Sequence, residues 1–271
     1  MTYKSILVHV DSTDDMLVRA AVASELACTF DASIVGSVGG LVPPPIFGDA
    51  SGVVLASLAE AEHERVVAEL ARASKRFRAA VASSEAAESR VAIREPTAHL
   101  LAQTCICDLI VATRPHETDV PDPVMAILLG DVIMAAGRPV LCLPPGPARR
   151  DFRNVVIAWK NAQEARRAVT DALPFLTRAE QVAVACIDET PEDALDEVVQ
   201  HLARHGAAVR AIRRRSANET VVEALLDIAD EVEAGLIVAG AYGHSRLREW
   251  MFGGVTRDLL RTSTLPFLVS H

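Results

Sequence analysis

Nine residues separate Gly243 from Gly253 in a stretch that reads Leu236-Ile237-Val238-Ala239-Gly240-Ala241-Tyr242-Gly243-His244-Ser245 and resumes as Gly253-Gly254-Val255-Thr256 before an apolar-periodic run. An apolar strand that feeds a glycine turn and then a helix start has the makings of an anion site. Glycine tolerates φ > 0 and has no Cβ to hold a phosphate off the main chain, so several backbone N–H groups can converge on one concavity. The helix that follows adds the positive end of its dipole. Arg246 and Arg248 stand in the same loop, with Arg257 one turn into the helix that starts near Gly254. Three guanidinium groups there would neutralise a polyphosphate and bind it bidentately. Taken singly, each arginine is equally a solvated charge, with Glu249 and Asp258 as partners. His244 is either a donor or proton carrier beside the turn or a surface histidine at a helix entry.

The elements that must position this turn are written twice. Ser5-Ile6-Leu7-Val8-His9-Val10 opens the chain and Asn154-Val155-Val156-Ile157-Ala158-Trp159 reopens it after the Pro/Gly/Arg-rich stretch 144–150, which reads as a linker. Cys107 to Ala112 mirrors Gly235 to Ala239, and Arg138 to Leu143 mirrors Leu265 to Ser270. Three matched apolar strands in the same order mean an internal duplication, with domains at 1–147 and 148–271. Near-continuous apolar runs alternating with helical patterns predict parallel strands covered by helices on both faces. Strands are expected near 5–10, 32–38, 89–93, 108–112 and 139–143, then 154–159, 181–187, 207–212, 235–239 and 265–270. Helices fill the gaps, most clearly 54–83, 97–106, 162–177, 191–205, 218–232 and 254–263. Right-handed crossovers make each half an α/β, doubly wound parallel sheet, whose ligands bind beyond the carboxyl ends of the strands.

The Gly-x-x-Gly, nine residues, Gly spacing resembles the ATP-binding signature of the universal stress protein family. It matches at Gly240, Gly243, Gly253 and Thr256, whereas Gly254 stands where that family usually has Ser or Thr, which removes one hydroxyl donor to phosphate. The resemblance covers nearly the whole chain as a tandem of two five-stranded domains and implies the strand order 3-2-1-4-5. It implies ATP or another adenine nucleotide, with or without Mg²⁺, bound in the second half by Gly240, Gly243, His244, Ser245, Arg246, Gly253, Gly254, Val255 and Thr256, with Lys160 and Trp159 alongside. In the family the last strands pair domain to domain; here that pairing can occur within one chain, and a homodimer is the other arrangement.

The halves are not equivalent. Thr113 aligns with Gly240 and His116 with Gly243, and the following segment, 115–123, carries three prolines and three carboxylates in place of N–H donors. It reads as a solvated loop, and the first half is expected to be structural. Asp11 ends the first strand as an acid does in the family, where it faces the nucleoside; its counterpart in the second half is Lys160, preceded by Trp159. Lys160 can reach phosphates. Trp159 is either a strand-end core residue or a platform for a base, stacking being worth roughly 1–3 kcal/mol. Asp188, Glu189 and Asp193 either hold Mg²⁺ with a nucleotide or sit in a first helical turn, where acids favour the dipole. Arg213-Arg214-Arg215 reads as a solvated strand end, and the long 54–83 helix as core packing or a docking face for another subunit.

A formal charge of −9 over 271 residues argues against a surface that seeks nucleic acid or anionic membrane, so any anion site must be local. Cys28, Cys105, Cys107, Cys142 and Cys186 lack metal-ligand spacing and suggest reduced thiols in a cytoplasmic protein, with no metal site. No stretch approaches the roughly 20 apolar residues of a membrane span, and the N-terminus leads straight into a strand. No Gly-x-Ser-x-Gly, Gly-Lys-Ser/Thr or His-Glu-x-x-His motif is present, and no catalytic residue is indicated. Three readings follow: a nucleotide-sensing stress protein, a slow ATPase or autophosphorylating protein on the same site, and an interaction scaffold that has lost nucleotide.

Overall fold

Ser5–His9, Ser33–Gly40, Ala87–Ile93 and Leu109–Thr113 form strands β1 to β4, whose apolar runs leave Ile6, Leu7, Val8, Leu109, Ile110 and Val111 without solvent contact. Burial on both faces is what a near-continuous apolar strand requires. The computed structural model describes residues 2–43, 52–82, 84, 86–114, 122–147, 151–216, 219–241, 258–259 and 263–271. Its contacts divide the chain into two units, Lys4–Ala135 and Ala136–His271, the second including the chain start up to Tyr3.

In the first unit the strands run parallel in the order β3-β2-β1-β4, with Ser5 opposite Ser33, Ile6 opposite Leu109 and Ile34 opposite Ala87. Helices α1 (Asp15–Phe30), α2 (Gly52–Ala80), α3 (Pro96–Leu101) and α4 (Leu129–Ala135) connect and follow them. α2 and α3 take opposite faces of β2: a Cβ at Gly36 would lie 2.4 Å from the Phe77 ring of α2, and one at Gly39 would lie 2.9 Å from Pro96 Cα of α3. The glycine at Gly36 therefore lets α2 seat directly on the sheet. α3 starts where Glu95 accepts from the N–H groups of Thr97 and Ala98, with Pro96 in its first turn.

The second unit holds β5 (Val140–Leu143), β6 (Asn154–Ala158), β7 (Gln181–Ile187), β8 (Val209–Arg214), β9 (Leu236–Gly240) and β10 (Phe267–Ser270). Their order is β8-β7-β6-β9-β10-β5, parallel except for the last pair, where Phe267 meets Cys142 and Val269 meets Val140 across an antiparallel ladder. The last strands of the two sequence repeats thus lie side by side. α5 (Gln163–Leu176), α6 (Leu195–Arg204) and α7 (Val221–Glu231) cover this sheet, α7 beginning at a reciprocal Thr220–Glu223 cap.

The fold is the expected α/β, doubly wound one, and the second repeat carries the order 3-2-1-4-5 in full. Two expected helices are broken. The 97–106 helix ends at Leu101 and yields to a 3₁₀ turn at Thr104–Ile106, and the 191–205 helix is a 3₁₀ turn at Pro191–Asp193 followed by α6, because Ala194 takes φ 49° between them. The expected 254–263 helix lies mostly outside the described residues. Among the described residues no helix is long and apolar enough to cross a membrane. In each unit the winding reverses between the first and fourth strands of the repeat, so the ligand crevices are beyond the carboxyl ends of β1 and β4 and of β6 and β9.

Candidate functional site

Beyond β1 the crevice is filled by the protein's own side chains. Arg19 projects from the second turn of α1 and is 1% exposed. Its Nε donates to the His9 carbonyl at 2.7 Å, one terminal nitrogen donates to Thr113 Oγ1 at 2.9 Å, and the other stands 2.7 Å from the Asp11 carboxylate. Asp11 also accepts from the Thr13 N–H at 3.0 Å and hydroxyl at 2.6 Å. Burial works to raise the Asp11 pKa, but Arg19, then His9 and Thr13, bring it below the ordinary carboxylate value. His9 Nε2 lies 3.0 Å from the Met125 carbonyl, and burial together with Arg19 lowers its pKa to about 4, so the ring is neutral. A buried carboxylate, a buried guanidinium and a neutral imidazole are packed together here, with the Arg19–Asp11 ion pair between them. The acid that the family resemblance points toward a nucleoside is turned into the core, and Thr113, opposite Gly240 in the repeat, is part of the same closure. His116 lies outside the described residues.

Beyond β6 the same place is differently made. Trp159 follows the strand, donates its backbone N–H to Ala185 at 2.8 Å and its indole N–H to the Asp193 carbonyl at 2.6 Å, and is buried. Lys160 is exposed. The Asp193 carboxylate accepts from the Thr190 N–H at 2.7 Å, the Thr190 hydroxyl at 3.0 Å and the Asn161 N–H at 3.2 Å. Burial opposes its ionisation, yet those hydrogen bonds and the charge of Lys160 hold its pKa below the ordinary value. This is a capping box of Thr190 and Asp193 around the 3₁₀ turn.

α5 starts immediately after Lys160 and Asn161. Its N-cap is Ala162, which has no side-chain oxygen to accept, so the N–H groups of the first turn have no side-chain cap. That turn lies on Gly240: a Cβ there would stand 2.4 Å from the Ala165 nitrogen and 2.6 Å from the Glu164 carbonyl carbon. Gly240 is therefore the contact that brings a helix N-terminus to the end of β9. Ser270, at the end of β10, is in register with Gly240, so its side chain leaves the sheet on the face that α5 covers. Its hydroxyl is buried and has no hydrogen-bond partner among the described residues. A helix N-terminus, a buried hydroxyl and an exposed lysine all lie at the carboxyl edge of β6, β9 and β10.

Of the expected site residues the structure thus places Trp159, Lys160 and Gly240 at this edge. Gly243, His244, Ser245, Arg246, Gly253, Gly254, Val255 and Thr256 lie outside the described residues, as do Arg248 and Arg257. Reading residue types along the sequence missed two participants, Ser270 and Arg19. A lone serine at the end of an apolar strand was the available signal for the first; for Arg19 there was none.

The carboxylates considered for Mg²⁺ are engaged separately. Asp188 accepts from the Ser216 N–H and hydroxyl, Glu189 is 2.7 Å from Arg213, and Asp193 closes its capping box. Arg213 also reaches Asp196 at 2.6 Å, and Arg214 pairs with Glu231 at 2.6 Å, so two of the three consecutive arginines at the end of β8 are tied into local ion pairs. Among the described residues no group of three or more His, Cys, Asp or Glu is arranged to hold a metal. Cys107, Cys142 and Cys186 are buried and Cys28 and Cys105 exposed. Burial, then the nearby Asp193 and Glu189, push the Cys186 thiol up to about 12, which keeps it protonated and unreactive.

Residues 151–271 match the sequence model described as the Universal stress protein family. Over the whole length the fold is similar to the crystal structure of a universal stress protein from Archaeoglobus fulgidus DSM 4304, with 13% identity, 98% of this chain and 95% of that chain covered, and a TM-score of 0.69. A functionally unknown protein from Pseudomonas aeruginosa PAO1 is similar at 14% identity over 99% of this chain and 92% of that one, with a TM-score of 0.56. At these identities the likeness is one of fold. No curated protein matches the chain.

Proposed function

We propose that this chain, whose residues 151–271 match the universal stress protein family, is a stress-response protein that binds ATP or a related adenine nucleotide in its C-terminal half, the first half being its structural partner. The observation that carries this reading is the difference between what lies at the two carboxyl edges. Beside the uncapped first turn of α5, Ser270 carries a buried hydroxyl that meets no partner among the described residues and Lys160 stands exposed, whereas the crevice of the first unit is filled by the ion pair of Asp11 with Arg19 and by His9. Buried donors without partners are costly, and an anionic ligand relieves that cost. In this reading the triphosphate lies over the N–H groups of Gly243 to Ser245 and Gly253 to Val255, with Lys160 as its cation.

Equilibrium dialysis with radiolabelled ATP should saturate at one nucleotide per chain, and Gly243→Val should abolish binding while circular dichroism and melting stay near wild type. Two equal sites, or unchanged affinity in Gly243→Val, would overturn the assignment. A second reading, the scaffold that has lost nucleotide, draws on Trp159, whose ring is buried and whose indole N–H is already engaged. Mass spectrometry of ligand retained on the purified protein separates the two. Phosphate release above the Gly243→Val background would add a slow ATPase activity to the first reading.

A further inference from the structure

The face of α2 turned toward the sheet edge leaves part of β3 uncovered. Gly36, Val38 and Gly40 of β2 are in register with Ser89, Val91 and Ile93, and Gly36 and Gly40 face α2, so this row of β3 faces α2 as well. Ser89 Oγ meets Ser74 Oγ of α2 at 2.8 Å, which fixes that side of the contact. Farther along, the helix covers the row incompletely: Val91 is 47% exposed and Ile93 45%, and Val67 of α2 is 44% exposed above them. Between helix and strand runs a groove of about 520 Å³, with Val91, Ala92 and Ile93 as its floor and the α2 rows Val67–Ala71–Lys75 and Leu70–Ser74–Arg78 as its wall. Large apolar side chains half-exposed in one groove mark an interaction surface more often than scattered ones do.

β3 is also an edge strand. Among the described residues it pairs with β2 alone, and the backbone groups of Ala87, Ser89, Val91 and Ile93, which the register turns away from β2, make no hydrogen bond to a described residue. Backbone groups along such an edge are a template for an added strand. The charge of the groove is opposite to that of the molecule. The chain carries a formal −9, yet the charged residues lining this groove are Lys75 and Arg78, and among the described residues neither is within ion-pair distance of a carboxylate. Among the described residues Arg78 hydrogen-bonds through its Nε, to Ser89 Oγ at 2.8 Å.

We propose that the α2–β3 groove docks an extended, acidic and apolar segment of another protein, which adds to the β3 edge. Alternate apolar side chains of that segment cover Val91 and Ile93, and carboxylates between or beside them meet Lys75 and Arg78. A second copy of this chain in the same place would bring two sets of Lys75 and Arg78 toward one another, so charge favours a different, acidic partner.

The test is selection of random ten-residue peptides displayed on phage against the intact protein, followed by fluorescence anisotropy of the enriched peptides. Enriched sequences should alternate apolar residues with Asp and Glu, bind more weakly as salt rises, and lose at least tenfold in affinity to the Lys75→Glu/Arg78→Glu and Val91→Asp variants. Enrichment of basic or uncharged sequences, or of none that these variants weaken, overturns the proposal. So does a change of sedimenting mass in Val91→Asp, which would assign the groove to a second copy. The double charge variant lies at the groove rim and keeps the test available should Val91→Asp fail to fold. The groove belongs wholly to the first unit, so its failure leaves the nucleotide reading of the second unit untouched.

Discussion

At the end of β1 an aspartate meets an arginine from the helix that follows it; at the matching place after β6 stands a lysine, and the helix that follows offers it nothing. Arg19 comes eight residues after Asp11, and eight residues after Lys160 comes Ala168, buried and apolar. The backbone topology of the two repeats is the same. A change of two side chains decides whether the carboxyl edge of the sheet becomes core, with its charges neutralised from within, or keeps its donors for a ligand. Thr113 and Gly240 repeat the lesson one strand over: the first unit admits a side chain whose hydroxyl accepts from Arg19, while the second admits no Cβ because a helix N-terminus occupies that space.

The largest effect is expected from removing the closing charge. Arg19→Ala leaves the Asp11 carboxylate buried without its counter-ion, a loss of about 3–5 kcal/mol in comparable cases. Denaturant unfolding of the full chain, followed by hydrogen exchange at β1 and β4, should show the first unit opening at lower denaturant while the second keeps its protection. Replacing both partners, as Arg19→Met with Asp11→Leu, should restore much of the loss, since no isolated charge then remains. A cost under about 1 kcal/mol for Arg19→Ala would mean that the pair does not close this edge.

His9 tests the same closure through pH. Its folded pKa of about 4 lies below the ordinary 6.5, so between those values the unfolded chain binds a proton that the folded one does not. Stability of the first unit therefore falls as pH drops from about 6.5 to about 4 and this contribution levels off below, a change on the order of 3 kcal/mol. Asp11, whose pKa is lowered, adds its own loss only at still lower pH, below the ordinary carboxylate value. Chemical denaturation at a series of pH values should show this slope in the wild type and a flatter one in His9→Gln. Equal slopes in the two proteins would remove His9 from the account.

The sheet was legible in the sequence because strands buried on both faces must be apolar without interruption, and a duplicated set of such runs has few ways to wind. Nearly all strand positions followed from that, and the strand order from the family resemblance of the glycine spacing. The closure around Arg19 was not legible. A charge within a helix reads as solvated, and only the return of Thr113 and the turn of Asp11 into the core make its burial affordable in electrostatic terms. The Thr190–Asp193 cap was written in the sequence as Thr-x-x-Asp, but with Asp188 and Glu189 beside it the group also read as a cation site; the structure gives each carboxylate a different local partner. Ser270 became informative only through its register with Gly240, which no spacing along the chain reveals.

Gly240→Ala probes the contact that distinguishes the second crevice. The added methyl group would meet the backbone of Ala165 and Glu164, which cannot rotate away, so α5 must shift at a cost of about 1–3 kcal/mol. The expected readout is a lowered melting temperature and weaker ATP binding together, because the first turn of α5 moves off the edge. The matching Thr113→Ala in the first unit should leave ATP affinity unchanged. If Gly240→Ala melts like wild type and binds like wild type, the helix N-terminus is not held where the comparison requires it.

The smallest effect, and the most specific, belongs to Lys160. It is exposed at the end of β6, where the repeat has Asp11 in the first unit, and its charge is already felt by Asp193. An exposed ammonium near a phosphate contributes about 0.2–1 kcal/mol, so Lys160→Gln should weaken ATP binding by up to about fivefold. Lys160→Asp replaces attraction by repulsion and should weaken it further. An aspartate also accepts hydrogen bonds from hydroxyl groups, so the same variant should bind adenosine no worse than wild type, shifting preference from phosphate toward nucleoside. Titration of each variant with ATP, adenosine and inorganic triphosphate separates these effects: the phosphate ligands should lose affinity in proportion to their charge, and adenosine should not. Should Lys160→Asp instead tighten ATP without loss for any other anion, the lysine would mark a site in decay, and the second crevice would be on its way to the closed condition that Arg19 and Asp11 have given the first.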